Sequence, residues 1–225
     1  MSVEILVDGR RLSVDGNSSL LFAARAAGFD LPGLCSNPRE GYAPRSSCRM
    51  CLVEVDGEPG LVPSCRTKVQ AGMVLRTTSP RLLQLRETLT ALTAEPGPTA
   101  ASTSSASLSF DPVACVRCGL CRDACQDVQG NGVIGLAGRG GQTRIVFDAD
   151  ATLPESSCVS CGECAQVCPT GALQLTGGTT QHIELGDTVC PYCSVGCRIT
   201  LMRAADGRVV GKGAYGPAKD RKSVV

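Results

Sequence analysis

The chain has 225 residues, with 15 cysteines, no tryptophan, 3% aromatic residues and a formal net charge of +1. So near-neutral a charge leaves no electrostatic footprint for nucleic acid or an anionic membrane, and so few aromatic side chains imply small cores. No apolar run approaches the roughly 20 residues that span a bilayer, and the first residues read as a strand rather than an export signal, so a soluble, cytoplasmic protein is expected. In that reducing compartment cysteines favour metals over disulfides, and their placement becomes the main evidence.

Residues 3 to 14 carry alternating apolar positions (Val3, Ile5, Val7, then Leu12 and Val14) around Asp8-Gly9-Arg10, which predicts a β-hairpin. A helix capped by Ser18 or Ser19 follows on a stripe of Leu20, Leu21, Ala24, Ala27 and Phe29. Strands are expected over 51–55 and 60–65, about the Asp56-Gly57 turn, and over 73–77. Pro80 can open a helix that Leu82, Leu83, Leu85, Leu89 and Leu92 carry to Ala94. Residues 95–109 are poor in large apolar groups and are expected to be a flexible linker separating two modules. Beyond it the cysteine spacing repeats with a period of 43, from Cys115 to Cys158, which marks an internal duplication within 110–178. A third pattern occupies 186–225.

Cys35, Cys48, Cys51 and Cys65 are spaced C-x12-C-x2-C-x13-C. The two-residue gap brings Cys48 and Cys51 onto one turn of loop, and four thiolates around two irons make a [2Fe–2S] centre. Zinc also accepts four thiolates, but zinc ribbons use two C-x2-C pairs, which this set lacks. The run Ser47-Cys48-Arg49-Met50-Cys51-Leu52-Val53-Glu54-Val55, preceded by Leu31-Pro32-Gly33-Leu34-Cys35, resembles the N-terminal β-grasp ferredoxin domain of several larger enzymes. These are the large iron–sulfur subunit of respiratory NADH dehydrogenase, the NAD-reducing hydrogenases and the NAD-dependent formate dehydrogenases. The resemblance implies a β-grasp domain over 1–78, with a helix over 79–94. Many of these relatives follow it with a further [4Fe–4S] site of one histidine and three cysteines. This chain has no cysteine between Cys65 and Cys115, and its single histidine is His182, so that site is expected to be absent.

Cys115, Cys118, Cys121 and Cys125 form one C-x2-C-x2-C-x3-C run, and Cys158, Cys161, Cys164 and Cys168, followed by Pro169, form another. This is the bacterial two-cluster ferredoxin pattern, in which three close thiolates wrap one cubane and the fourth reaches the other. One [4Fe–4S] cluster is then expected on Cys115, Cys118, Cys121 and Cys168, and the second on Cys158, Cys161, Cys164 and Cys125. Strands over 132–135 and 143–147 are expected to cover a cluster. The intervening Ala137-Gly138-Arg139-Gly140-Gly141 lacks the Lys-Ser/Thr ending of a phosphate loop and reads as a plain loop. Gln126 stands where the second copy has Pro169. Arg45, Arg49, Arg117 and Arg122 lie near cluster loops and could offset cluster charge, although most such arginines are simply solvated. His182, in an apparent strand, is read as a packing or surface residue.

The run Val189-Cys190-Pro191-Tyr192-Cys193-Ser194-Val195-Gly196-Cys197 resembles the start of the molybdopterin-dependent oxidoreductases, above all the cytoplasmic formate dehydrogenases. In that family these cysteines hold a cluster beside the molybdenum or tungsten cofactor, with a fourth cysteine downstream. Arg198 to Val225 contains none. The readings left open are a third, incomplete [3Fe–4S] cluster on Cys190, Cys193 and Cys197, a ligand borrowed from outside, or a vacant or zinc-occupied remnant.

Every cysteine falls into one of these sets, leaving none as a nucleophile, and no catalytic residue is assigned. The expected architecture is α+β: a β-grasp [2Fe–2S] domain, a two-cluster [4Fe–4S] ferredoxin domain and a short C-terminal iron–sulfur segment. The expected function is electron relay between a molybdopterin, formate-dehydrogenase-type catalytic domain or subunit and a flavin- and NAD-binding subunit. The segment after Cys197 is too short to enclose a pyranopterin, so the chain is not expected to be catalytic alone. Neither nucleic acid nor membrane is an expected partner. The alternative is a stand-alone iron–sulfur binding or redox-sensing protein.

Overall fold

The computed structural model describes residues 2–39, 41–94, 102–105, 107–176, 182–189, 198–204 and 209–213. Strands β1 (Ser2–Val7) and β2 (Arg10–Asp15) form the expected hairpin, with Val3 opposite Val14 and Ile5 opposite Leu12. Asp8 and Gly9 both take positive φ, 48° and 82°, which matches the right-handed twist of a tight two-residue turn. Helix α1 (Leu20–Ala26) then buries Leu20, Leu21, Ala23 and Ala24. Ser19 occupies its N-cap, yet its side chain makes no capping bond. The first helical amides turn instead to the loop around Cys65: Leu20 N donates to Thr67 O at 2.8 Å and Leu21 N to Ser64 O at 3.1 Å. A tertiary contact has taken the place of the local cap.

Strands β3 (Leu52–Val55), β4 (Leu61–Pro63) and β5 (Val74–Arg76) complete a five-stranded mixed sheet in the order β2-β1-β5-β3-β4, with β1 and β5 parallel. Val7, Val53, Leu75, Leu20, Leu21 and Leu31 fill the space between sheet and α1. Each such fully buried side chain contributes about 1.5–3 kcal/mol. Helix α2 (Pro80–Ala94) follows. Its leucines divide: Leu82 is buried, whereas Leu83 and Leu92 are exposed, so only part of the expected apolar stripe meets a neighbour.

Strand β6 (Thr103–Ser104) and the start of β7 (Leu108–Phe110) lie inside the stretch read as linker. Leu108 and Phe110 are buried, and β7 pairs with β10 (Leu173–Leu175) at the far end of the duplicated module. The later part of 95–109 is therefore an edge of that module, ordered by two apolar side chains set among serines. Residues 95–101 and 106 lie outside the described residues. Helices α3 (Leu120–Asp123) and α4 (Glu163–Val167) are equivalent in the two copies and pack together. Between them β8 (Ile134–Ala137), two residues later than the strand expected over 132–135, pairs with β9 (Arg144–Phe147) as a hairpin, Ile134 opposite Phe147.

The two modules are not held apart. Tyr42, from the first, is buried in the core of the second among Leu120, Ala124 and Val167. Farther along, β11 (His182–Val189), β12 (Arg198–Ala204) and β13 (Val209–Gly213) make an antiparallel sheet in which His182 lies opposite Ala204. Among the described residues no helix is long and apolar enough to cross a membrane.

Candidate metal centres

The loop leading into β3 places the first set of thiols. Arg25 of α1 donates to the carbonyl of Leu31 at 2.8 Å, fixing the entry to Cys35. Arg49, between Cys48 and Cys51, has φ of 58°, a left-handed conformation unusual for a residue with a side chain. Cys35, Cys51 and Cys65 are buried and Cys48 is half-buried. The Sγ atoms of Cys35 and Cys48 lie 3.3 Å apart, and the Ser46 hydroxyl is 3.3 Å from Cys65 Sγ. The thiols pair: hydrogen bonding from Cys48 holds Cys35 down at about 5, and Cys51 holds Cys65 down at about 6. Cys48 and Cys51 are pushed up by the same bonds.

Arg86 of α2 braces this loop from behind. Its guanidinium donates to the carbonyls of Met50 at 3.2 Å, Leu52 at 3.0 Å and Thr77 at 2.8 Å. One cation thereby satisfies carbonyls on both sides of Cys51.

The duplicated module encloses two cavities. Cys115, Cys118, Cys121 and Cys168 line one, together with Phe110, Ile145 and Leu173. Cys125, Cys158, Cys161 and Cys164 line the other, with Leu108, Val133 and Ile134. Each cavity thus draws three thiols from one run and one from the other. Equivalent left-handed residues shape both loops: Arg117 (φ 55°) with Gly119 (φ 82°), and Ser160 (φ 58°) with Gly162 (φ 75°). Burial holds the Cys118 thiol up at about 11 and Cys164 at about 12, and also raises Cys115 and Cys121. Thiols walled in by apolar side chains resist ionising alone, so a bound cation must displace their protons. Among the described residues no three cysteine, histidine, aspartate or glutamate side chains converge as ligands of a single ion. Cavities lined by four thiols fit a polynuclear cluster better than one zinc. Cys190, Cys193 and Cys197 lie outside the described residues.

Of the arginines singled out from sequence, Arg45 donates from Nε to Asp123 Oδ2 at 2.8 Å, and Arg122 lies 3.5 Å from the other oxygen. Sequence reasoning missed Asp123 and Glu163, which are each only 4% exposed. Glu163 accepts from Arg39 and, at 2.6 Å, from the Tyr42 hydroxyl. A signal existed: in the duplicate, Glu163 stands where the first copy has Leu120, and Asp123 where the second has Gln166.

Comparison with known proteins adds three domain assignments. Residues 1–80 match a 2Fe-2S iron-sulfur cluster binding domain, 103–172 a 4Fe-4S dicluster domain, and 184–221 a molybdopterin oxidoreductase Fe4S4 domain. A subunit of the NADH-quinone oxidoreductase of Rhizobium meliloti is 28% identical over 88% of the chain and 27% of its own length. The HndD subunit of the NADP-reducing hydrogenase of Solidesulfovibrio fructosivorans is 32% identical over 75% of the chain and 35% of its own length. A putative formate dehydrogenase of Staphylococcus haemolyticus is 26% identical over 86% of the chain and 27% of its own length. The chain thus spans about a third or less of these curated relatives. A crystal structure of an NAD+-reducing [NiFe]-hydrogenase in the H2-reduced state superposes with a TM-score of 0.67 at 25% identity, covering 80% of this chain and 90% of that one.

The molecule is an iron–sulfur electron-transfer protein that carries one [2Fe–2S] and two [4Fe–4S] clusters. It is similar to the N-terminal iron–sulfur region of the NADH-quinone oxidoreductase and molybdopterin oxidoreductase families. The likeness to formate dehydrogenases appears only at low identity.

Proposed function

We propose that this chain passes single electrons between a flavin- and NAD-binding partner, on the side of its [2Fe–2S] centre, and a molybdopterin, formate-dehydrogenase-type catalytic domain or subunit on the side of residues 186–225. In this reading residues 1–78 are a β-grasp ferredoxin domain whose centre is held by Cys35, Cys48, Cys51 and Cys65. The cubanes are held in the crossed manner, one by Cys115, Cys118, Cys121 and Cys168 and the other by Cys125, Cys158, Cys161 and Cys164. Cys190, Cys193 and Cys197 supply three ligands of a further centre.

The observation that carries the proposal is the seating of Tyr42 in the core of the two-cluster module, which makes the cluster-bearing modules one body. A relay needs fixed, short gaps, whereas a sensor with one labile centre does not. The names of the relatives support a pyridine-nucleotide-linked complex. The test is anaerobic mixing of the cluster-loaded chain with the flavin- and NAD-binding subunit of one of its relatives' complexes, followed by NADH. Reduction of the [2Fe–2S] signal and then of the cubanes is expected. Clusters that stay oxidised with NADH and that partner, yet reduce with dithionite, would remove the pyridine-nucleotide side of the proposal.

A further inference from the structure

Three arrangements outside the ligand sets stand out. The first is the Arg86 brace behind Cys51. The second is the apolar patch of Val159 and Leu175 near exposed Cys161, with nothing to indicate what covers it. The third, the loop that carries Arg39, Tyr42 and Arg45 onto α3 and α4, reaches furthest.

Arg45 touches both modules at their cluster-bearing turns. Its backbone amide donates to the carbonyl of Cys35 at 3.5 Å. Its Nε donates to Asp123 at 2.8 Å, two residues beyond Cys121. Its guanidinium lies against Gly119, the residue after Cys118. A Cβ there would stand 2.7 Å from Nη1 and 2.9 Å from Cζ, so a side chain at this position would make the guanidinium shift. The contact is absent from the other copy, where a Cβ at Gly162 would meet Leu175 at 3.1 Å instead. Cys35 is close enough for its charge to act on both the Cys118 thiol and the Asp123 carboxyl.

We propose that Arg45, anchored by Asp123, is the positioning residue for electron transfer between the [2Fe–2S] centre and the cubane of Cys115, Cys118 and Cys121, holding the Cys35 loop against the Cys118 turn with its positive charge in the gap. The proposal deepens the relay reading and rests on it. The step is the movement of one electron from whichever centre is reduced to the other. No bond forms or breaks, and no proton or outside reagent is needed. The cation stabilises the extra negative charge at either end of the step, while its two anchors set the separation. The modules do not depend on Arg45 to stay together, because Arg39 and Tyr42 separately engage Glu163. Its role can therefore be tested in an assembled protein.

The experiment uses the full chain loaded with clusters, in the wild type and the R45Q, R45K and D123N variants. Iron and sulfide content, midpoint potentials by EPR-monitored titration, and power saturation of the [2Fe–2S] signal with the cubanes oxidised or reduced are measured. In the wild type, reducing the cubanes should speed relaxation of the [2Fe–2S] signal. R45Q should keep its clusters, lose that enhancement several-fold and show more negative potentials. R45K should restore the potentials more than the enhancement, and D123N should lose the enhancement with Arg45 still present. Wild-type enhancement and potentials in R45Q overturn the proposal and leave the relay reading standing. Loss of a cluster in R45Q, together with unaltered enhancement in D123N, also overturns it. A wild-type chain without either centre overturns the relay reading itself.

Discussion

The Tyr42 hydroxyl donates a hydrogen bond of 2.6 Å to a carboxylate oxygen of Glu163, a residue 121 positions further along the chain. Burying that carboxylate is tolerable only because Tyr42 and Arg39 satisfy it. Tyr42→Phe removes one donor and little volume, and should cost about 1.5–3 kcal/mol, the range for a hydrogen bond to a charged group. Denaturant unfolding of the two-cluster module, followed through its cluster absorbance, should show a lower midpoint with normal iron content. An unchanged midpoint would mean that the buried carboxylate does not need this donor.

Replacing Cys51 by Ser should abolish the [2Fe–2S] signal while leaving both cubanes in place. The modules touch, but the contact uses Arg39, Tyr42 and Arg45, none of which hydrogen-bonds to Cys51. Simultaneous loss of the cubane absorption on this substitution would show that the interface fails with the first centre.

The short cysteine runs were legible in the sequence because two- and three-residue gaps are local and the 43-residue repeat displays them twice, whereas the bringing together of Cys168 with Cys115 and of Cys125 with Cys158 is tertiary. The hairpin, α1 and α2 were legible for the same reason, in their alternating or helical apolar spacing. The pairing of Arg45 with Asp123, 78 positions apart, and of Arg39 with Glu163, 124 apart, is set by tertiary docking and leaves no periodic trace. Strand β7 was hidden differently. Composition averaged over 95–109 masked Leu108, and nothing local points from Leu108 and Phe110 to their distant partners Leu175 and Leu173. The missing cap at Ser19 is a case in which loop carbonyls outcompeted a local side chain.

The crossed lining of the cubane cavities can be checked by counting iron in double variants. Cys115→Ser with Cys168→Ser removes two thiols from a single cavity and should eliminate one cubane. Cys115→Ser with Cys125→Ser removes one from each and should impair both. Equal iron loss in the two double variants would contradict the crossed arrangement.

Cluster retention should weaken as pH falls. Burial raises Cys118 to about 11 and Cys164 to about 12, so both thiols of the empty protein keep their protons throughout the neutral range. Iron must displace those protons, and mass action then favours the loaded form as pH rises toward these values. Chelator-driven bleaching of the cubane absorption should therefore be faster in mildly acidic than in mildly alkaline buffer. Bleaching at a rate independent of pH would contradict the competition.

Arg86→Met keeps much of the stem and deletes the head that bonds the Met50, Leu52 and Thr77 carbonyls. Leaving these acceptors unpaired should cost about 1–3 kcal/mol. The [2Fe–2S] signal should decay faster on warming than in the wild type while the cubanes keep their lifetimes. Equal lifetimes of the [2Fe–2S] signal in the two proteins would show that α2 does not brace the Cys51 loop.

A duplicated module has near-twofold halves, and nothing in its cysteines says which way round it should be docked. The exchange of Leu120 for Glu163, and of Gln166 for Asp123, removes that ambiguity. Each acid accepts one arginine from one strap of the first module, so the duplicate has acquired a head and a tail. Swapping the two acids between the copies should turn a module of unchanged ligands the wrong way for its neighbour, leaving the wire intact but its terminals reversed.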